Sequence, residues 1–385
     1  MVLTVTAPGK VILFGEHAVC FGKEAIATAI DRKTTVEIDC QSESDCVCLN
    51  LIDLVYHVKW PLQQLSKIKL ESLIDSVEGD GDGDNQKIGY YNDEIGKLLH
   101  EIVLTGINCA NNGDIKNDIA SKNDVILSAI ESCKSFLFLY LSMASSYLEA
   151  GKLIPMAVSL SSNITVGSGL GSSSAFSVSL SGALLKCFKG SQPDNELINK
   201  WAFQSERQFH GKPSGIDNNI AVAGGTLMFK DNSIFYANSM RLTKIVLVDT
   251  KVKRNTKTLV SKTISRRQMF PETINNVMDA IGDISRKAWK YLNGDDSFDF
   301  KTMVEMNQCL LNCLGAGHSA IDQVLAIAKK HGFQGKLTGA GGGGTVIIFV
   351  EDTPEKSEED LLYDLNCGEF KAQTININCP GISFQ

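Results

Sequence analysis

From Leu153 to Leu185 the chain carries no charged residue. The stretch is long enough to consider as a membrane span, but Pro155, Asn163 and many Ser and Gly residues interrupt it, which excludes a transmembrane helix. A buried strand at 156–160, a tight loop and a buried helix at 173–187 satisfy it, the helix made of small residues that permit close packing. The joint is Gly167-Ser168-Gly169-Leu170-Gly171-Ser172-Ser173-Ser174. Glycines allow backbone angles that turn successive N–H groups toward one point. The helix start adds a partial positive charge, so the natural ligand is a polyphosphate. The spacing is neither the dinucleotide G-x-G-x-x-G nor a loop ending in G-K-[ST]. The alternative is a flexible linker. An apolar strand and a compact helix flank the loop without a gap, which argues against that. Ser172 and Ser173 offer hydroxyls to phosphate or Mg²⁺.

Three further segments carry candidate chemistry. In Ala7-Pro8-Gly9-Lys10 with Gly15-Glu16-His17, Lys10 opens an apolar strand. It is either a solvated edge or a charge held for an anion, and Glu16 and His17 are either structural or ligand contacts. Glu206 lies near a predicted helix end, and Asp217 follows across the break His210-Gly211-Lys212-Pro213. Such a break can bring two carboxylates to one cleft, one for a metal and one to orient or deprotonate a hydroxyl. A helical Glu taken alone is more often simply solvated. Lys336-Leu337-Thr338-Gly339-Ala340-Gly341-Gly342-Gly343-Gly344 precedes an apolar strand and indicates close backbone approach to a ligand or another backbone.

Length and composition bound the rest. A chain of 385 residues is expected to form two domains. With 43% hydrophobic and 21% charged residues it reads as soluble and globular. A net charge of −7 argues against a general nucleic-acid binder. The eleven cysteines are irregularly spaced, so zinc is not expected and reduced thiols are. The N-terminus alternates like a strand and lacks a basic signal region. The basic run Lys251, Lys253, Arg254, Lys257, Lys262, Arg266, Arg267 is either a solvated helix face or the mouth of an anionic-ligand site.

Along the chain, strands are predicted at 2–6 and 10–14 around a Pro8-Gly9 turn, and at 25–39, 156–160, 226–229, 244–249, 345–350 and 370–377. Helices are predicted at 123–150, 173–187, from Asp194 to His210, from Pro213, and at 256–268, 272–292, 301–314, 318–331 and 355–366. The acidic loop 75–85 reads as a solvated insertion, because Asn85 and Tyr91 stand where an EF-hand needs Gly and Glu. Residues 108–124 read as a second polar loop. The order of elements is α+β, with a domain boundary near Gly224-Gly225.

These four segments resemble the GHMP small-molecule kinases over nearly the whole chain. Within that family, Ala7 to Val19 and His210-Gly211-x-Pro213-Ser214-Gly215-x-Asp217 are similar to mevalonate kinases. The resemblance implies a ribosomal-protein-S5-domain-2-like N-terminal domain (1–225) packed on a ferredoxin-like C-terminal domain (226–385). It implies ATP- and Mg²⁺-dependent phosphorylation of the C5 hydroxyl of mevalonate to 5-phosphomevalonate, a step toward isoprenoids and sterols. Gly167, Ser168, Gly169, Leu170, Gly171, Ser172 and Ser173 would hold the phosphates, and Ser173 and Glu206 the Mg²⁺. Asp217 would be the base, and Lys10 would pair with it and touch the γ-phosphate. Glu16, His17, Asp217 and Thr256 match substrate positions. Ser162 and Asp53 match the nucleotide pocket. A cytoplasmic homodimer with no nucleic-acid or membrane partner, inhibited by isoprenoid diphosphates, completes the expectation. Two departures stand out: Thr165-Val166 replaces a common Pro-Pro, and Phe176 replaces a common Tyr. A phosphomevalonate kinase and an inactive ligand-sensing homologue are the alternatives. The Glu16-His17 pair argues against the first. The set Lys10, Ser173, Glu206 and Asp217 argues against the second.

Overall fold

The computed structural model describes residues 2–40, 44–68, 91–110, 124–149, 152–165, 167–211, 213, 215–231, 233–237, 240–253, 256–350 and 357–385. The acidic loop 75–85 and residues 111–123 of the polar loop lie outside them.

Two sheets organise the chain. The first has strand order β12-β1-β2-β5-β3-β4, with β6 and β7 added beside β2. Its strands are β1 (Val2–Phe14), β2 (Ala25–Asp39), β3 (Cys46–Leu51), β4 (Tyr56–Pro61), β5 (Met156–Ser162), β6 (Thr226–Lys230), β7 (Ser233–Tyr236) and β12 (Ser383–Phe384). β3 runs parallel to β5, and the other pairings are antiparallel. The second sheet is antiparallel, in the order β11-β8-β10-β9, from β8 (Lys244–Asp249), β9 (Gln334–Leu337), β10 (Thr345–Phe349) and β11 (Lys371–Asn376). This is an α+β architecture, as expected.

β1 departs from the expected pair of short strands. It is one continuous strand whose register against β2 shifts between Pro8 and Lys10. The proline sits where the ladder is already irregular, which is where a strand tolerates it. Gly9 is required there, because a Cβ would lie 2.6 Å from the Leu170 carbonyl oxygen. The bulge thus presses β1 onto the glycine-rich loop, and the Lys10 N–H donates to that same carbonyl at 2.8 Å.

Alternation in β3 and β4 buries Val47, Leu49, Leu51, Tyr56, Val58 and Trp60, a period-two signal the sequence reading passed over. These residues pack with helices Asp93–Ala110, Asp124–Tyr147, Ser172–Lys189 and Asn195–His210 in one core. The helix Val125–Tyr147 is long and apolar enough to cross a membrane, but its middle turns, from Phe136 to Leu141, are fully buried in this core. Residues 108–110 belong to the helix Asp93–Ala110, not to the expected loop.

A second cluster joins the sheets. Val11, Leu13, Phe14, Ile26 and Ile30 pack against Ile245, Leu247, Ile284, Phe300, Ile347 and Phe349. Phe14 lies between the Phe300 ring, 5.8 Å away edge-on, and the Phe349 ring, 6.2 Å away and stacked. Burying several such side chains contributes about 2 kcal/mol each, so β1 is held to both sheets.

Two more expectations are corrected. The helix expected at Pro213 starts at Ile216, because Gly215 takes φ 76° and delays it. Cys40 and Cys187 form a disulfide across a sequence separation of 147, where thiols alone were expected. The end of β2 meets the end of Ser172–Lys189, a proximity that spacing cannot encode. Reduction is expected to lower the melting temperature, by a stability loss of about 2–4 kcal/mol, and to leave turnover at 25 °C unchanged. Calorimetry and activity with and without reductant check this.

Candidate active site

The glycine-rich loop crosses from β5 to Ser172–Lys189. Gly167, Gly169 and Gly171 take φ of 76°, 77° and 74°, conformations closed to most other residues. Gly171 is the residue before the first helical turn, where backbone N–H groups have no intrahelical acceptor. A Cβ on Gly171 would meet the Lys10 side chain at 3.0 Å. Loop and lysine therefore fit against each other. The Thr345 hydroxyl donates to the Ser168 carbonyl at 3.0 Å, tying the same loop to the strand after the C-terminal glycine run.

Lys10 is buried, and its ammonium lies 3.2 Å from Asp217 Oδ1. The Asp217 side chain is 35% exposed, so the ion pair is open on the aspartate side. Asp217 lies in the first turn of Ile216–Ala223. Glu206 approaches from Asn195–His210, a helix that Asp194 caps by accepting from the Leu197 N–H at 2.7 Å.

Glu206 is the most perturbed acid of the group. Burial, then the negative charge of Asp217, push its pKa up to about 7, against opposing pulls from the Ser173 and Ser174 hydroxyls and Lys10. Its Oε1 is buried without a hydrogen-bond partner. Asn218 supports the other oxygen. With its amide oriented to satisfy its neighbours, it donates to Glu206 Oε2 at 3.3 Å and to Ser174 Oγ at 3.0 Å, and accepts from the Phe203 N–H at 3.1 Å. A buried carboxyl oxygen without a donor, on an acid made reluctant to ionise, suits a cation. Glu206 and the Ser173 hydroxyl that bears on it are hard-oxygen donors of the kind that could hold Mg²⁺.

Behind Glu206, the Ser205 hydroxyl meets Ser135 at 2.5 Å and Ser177 at 2.9 Å. These three hydroxyls lie in the core and pin three helices together. Asn218 and this serine group escaped the sequence reading, although buried polar residues inside apolar helices were a visible signal.

Asp53 and Ser162 come together: the Ser162 N–H donates to Asp53 Oδ2 at 2.5 Å, beside the start of the loop. Glu16 and His17 point elsewhere. Glu16 is fully buried against Lys336 and receives a bond from Asn307 Nδ2 at 3.4 Å. His17 holds φ 61°, uncommon without glycine. Its Nε2–H donates to the Ala340 carbonyl at 2.9 Å, and its Nδ1 faces the Thr263 hydroxyl at 3.2 Å. Burial lowers its pKa, which keeps the ring neutral. Thr256 begins the helix Thr256–Met269; its side chain lies outside the described residues. Of the basic run, Arg266 donates to the Cys313 carbonyl at 2.8 Å, and Arg267 donates to Asn275 at 2.7 Å beside the Phe21 ring. Those two are engaged locally. Lys251, Lys253 and Lys262 are exposed.

Residues 139–226 match the GHMP kinases N terminal domain and residues 298–363 the GHMP kinases C terminal model. A mevalonate kinase of Bos taurus is 33% identical over 405 aligned residues, covering 99% of this chain and 94% of that one. The Homo sapiens mevalonate kinase shows the same 33% identity and the same coverage. The crystal structure of the Methanococcus jannaschii mevalonate kinase aligns at TM-score 0.71 and 25% identity, covering 97% of this chain and 98% of the other. With a third of its residues shared along nearly the full length of such relatives, and with a glycine-rich loop, a buried lysine and two acids brought together, this chain belongs to the mevalonate kinase family of the GHMP kinases.

Proposed function

We propose that this protein transfers the γ-phosphoryl group of ATP to the C5 hydroxyl of mevalonate, giving 5-phosphomevalonate and ADP. The observation that carries the reading is the Lys10–Asp217 pair at 3.2 Å beside the phosphate loop. A transferring phosphoryl group needs positive charge on its equatorial oxygens and an oriented alcohol in line with the leaving oxygen. Lys10 supplies the charge. Asp217 accepts the hydroxyl proton or orients the hydroxyl toward phosphorus. The N–H groups from Gly167 to Ser173 hold the phosphates, and Asp53 with Ser162 borders the nucleotide. Ser173 and Glu206 would hold Mg²⁺, which supplies charge neutralisation between the phosphates. His17 and Thr256 are assigned to the mevalonate side. Glu16, buried against Lys336 and Asn307, is engaged within the protein, so any part it takes in binding is indirect.

Phe176, buried near the start of its helix and edge-on to Phe209 at 6.0 Å, keeps the ring of the common tyrosine without its hydroxyl. Family membership further supports a cytoplasmic homodimer subject to inhibition by isoprenoid diphosphates. An ADP-release assay with mevalonate, phosphomevalonate, homoserine and galactose tests the activity. Turnover is expected with mevalonate, at a kcat/KM at least about 10³ above the others, because buried groups built for one alcohol reject analogues that leave them unpaired. Preference for another alcohol would refute the assignment.

A further inference from the structure

Lys336 is fully buried in β9, a position where a lysine is rare without a partner. Its ammonium is ion-paired with Glu16, itself 1% exposed, across a sequence separation of 320. It also donates to the Leu337 carbonyl at 2.8 Å and lies 5.7 Å from the centre of the Phe14 ring. The second carboxylate oxygen of Glu16 is reached by Asn307 Nδ2 at 3.4 Å, from the helix Phe300–Leu314. Gln308, on that helix, accepts from the Leu337 N–H at 2.8 Å.

These contacts connect the end of β1 to the C-terminal sheet at the point where its glycine run begins. Two neighbouring links run the same way. The Thr338 hydroxyl donates to the Ile12 carbonyl at 2.8 Å and lies 3.2 Å from the Ile12 N–H. His17 Nε2 donates to the Ala340 carbonyl. Lys10 lies on β1 only two residues before Ile12. A buried ion pair is weak evidence for stability, since well-packed apolar residues often replace one without loss. Its directional demand is better suited to fixing register between elements.

We propose that Lys336 is a positioning residue for phosphoryl transfer: paired with Glu16, it locks β1 in register with the C-terminal glycine run and so sets where the Lys10 ammonium stands relative to Asp217. The proposal rests on the kinase reading for its activity arm only.

Glu16→Gln and Lys336→Met are expected to share one phenotype. Assayed well below each variant's melting temperature, kcat falls by on the order of 10- to 100-fold, the scale for displacing a reacting group by about 1 Å. Dissociation constants for ATP and mevalonate stay within about twofold of wild type. The double variant is no worse than either single, as for two residues acting as one unit. Hydrogen exchange, which needs no substrate, should quicken alike in both singles at residues 10–17 and 336–344, and stay unchanged in β11.

A normal kcat in Lys336→Met overturns the proposal. So does a mevalonate affinity loss in Glu16→Gln that Lys336→Met does not share, since Glu16 would then act on the ligand alone. Unchanged exchange in both segments overturns it as well. Should Lys336→Met fail to fold, Asn307→Ser removes the supporting bond and keeps the ion pair. It should lower kcat about threefold at unchanged affinities, and an unchanged kcat counts against the proposal. If the wild type does not phosphorylate mevalonate, the functional reading fails, and exchange alone decides the positioning claim.

Discussion

Asp217→Asn is expected to lower kcat by about 10²–10⁴ with ATP affinity largely kept, the range for removing a general base without changing its shape. The geometry sharpens the expectation. Asp217 and Lys10 are each other's charge partner at 3.2 Å, so the amide also leaves a buried ammonium without its anion. The loss should therefore appear in single-turnover phosphoryl transfer as well as in steady-state kcat. Since Asp217 also raises the pKa of Glu206, the variant should let Glu206 ionise at lower pH. Near-wild-type turnover in folded Asp217→Asn protein would remove the aspartate from the chemistry.

Glu206→Gln is expected to weaken Mg²⁺-dependent nucleotide binding and to reduce its pH dependence. In the free protein the Glu206 carboxyl is held near a pKa of about 7, chiefly by burial. Mg²⁺ requires the ionised form, so metal binding competes with a proton. Wild-type affinity should fall more steeply between pH 8 and pH 6 than that of the glutamine variant, which keeps only the pH dependence of the nucleotide's own terminal phosphate. Stability moves the other way. A carboxyl whose folded pKa exceeds its ordinary value near 4.5 costs nothing below that pH, and the protein loses stability as pH rises from about 4.5 to about 7. Metal-free Glu206→Gln should therefore melt higher than wild type at pH 8, by at most about 3 kcal/mol. Mg²⁺ with nucleotide should narrow that gap by stabilising the wild type more. Titration calorimetry at three pH values and melting curves with and without Mg²⁺ check both halves. A wild-type pH dependence no steeper than the variant's would place the metal on other oxygens.

The glycine-rich loop of the candidate site was legible in the chain because its signal is local. A glycine-rich loop between an apolar strand and a small-residue helix declares itself by composition, since only glycine takes positive φ freely. Asp194 before an amphipathic run reads as a cap, and it is one. The expected α+β order followed from hydrophobic period alone.

Other features depended on contacts between residues far apart in sequence. Whether Pro8-Gly9 makes a turn or a bulge depends on the Leu170 carbonyl packed against Gly9, and so β1 runs through where a break was read. Where the helix carrying Asp217 starts depends on Gly215, not on the proline before it. Cys40 finds Cys187 through the packing of β2 on a helix. Nothing in either segment pairs Glu16 with Lys336, and only the closure of two sheets around Phe14 buries them together. Sequence by itself determined which residue types stand ready for phosphate, metal and proton, because backbone propensity and side-chain chemistry are properties of short segments. Tertiary structure decided which charges meet and at what pKa, because desolvation and ion pairing depend on neighbours that the chain supplies from hundreds of residues away.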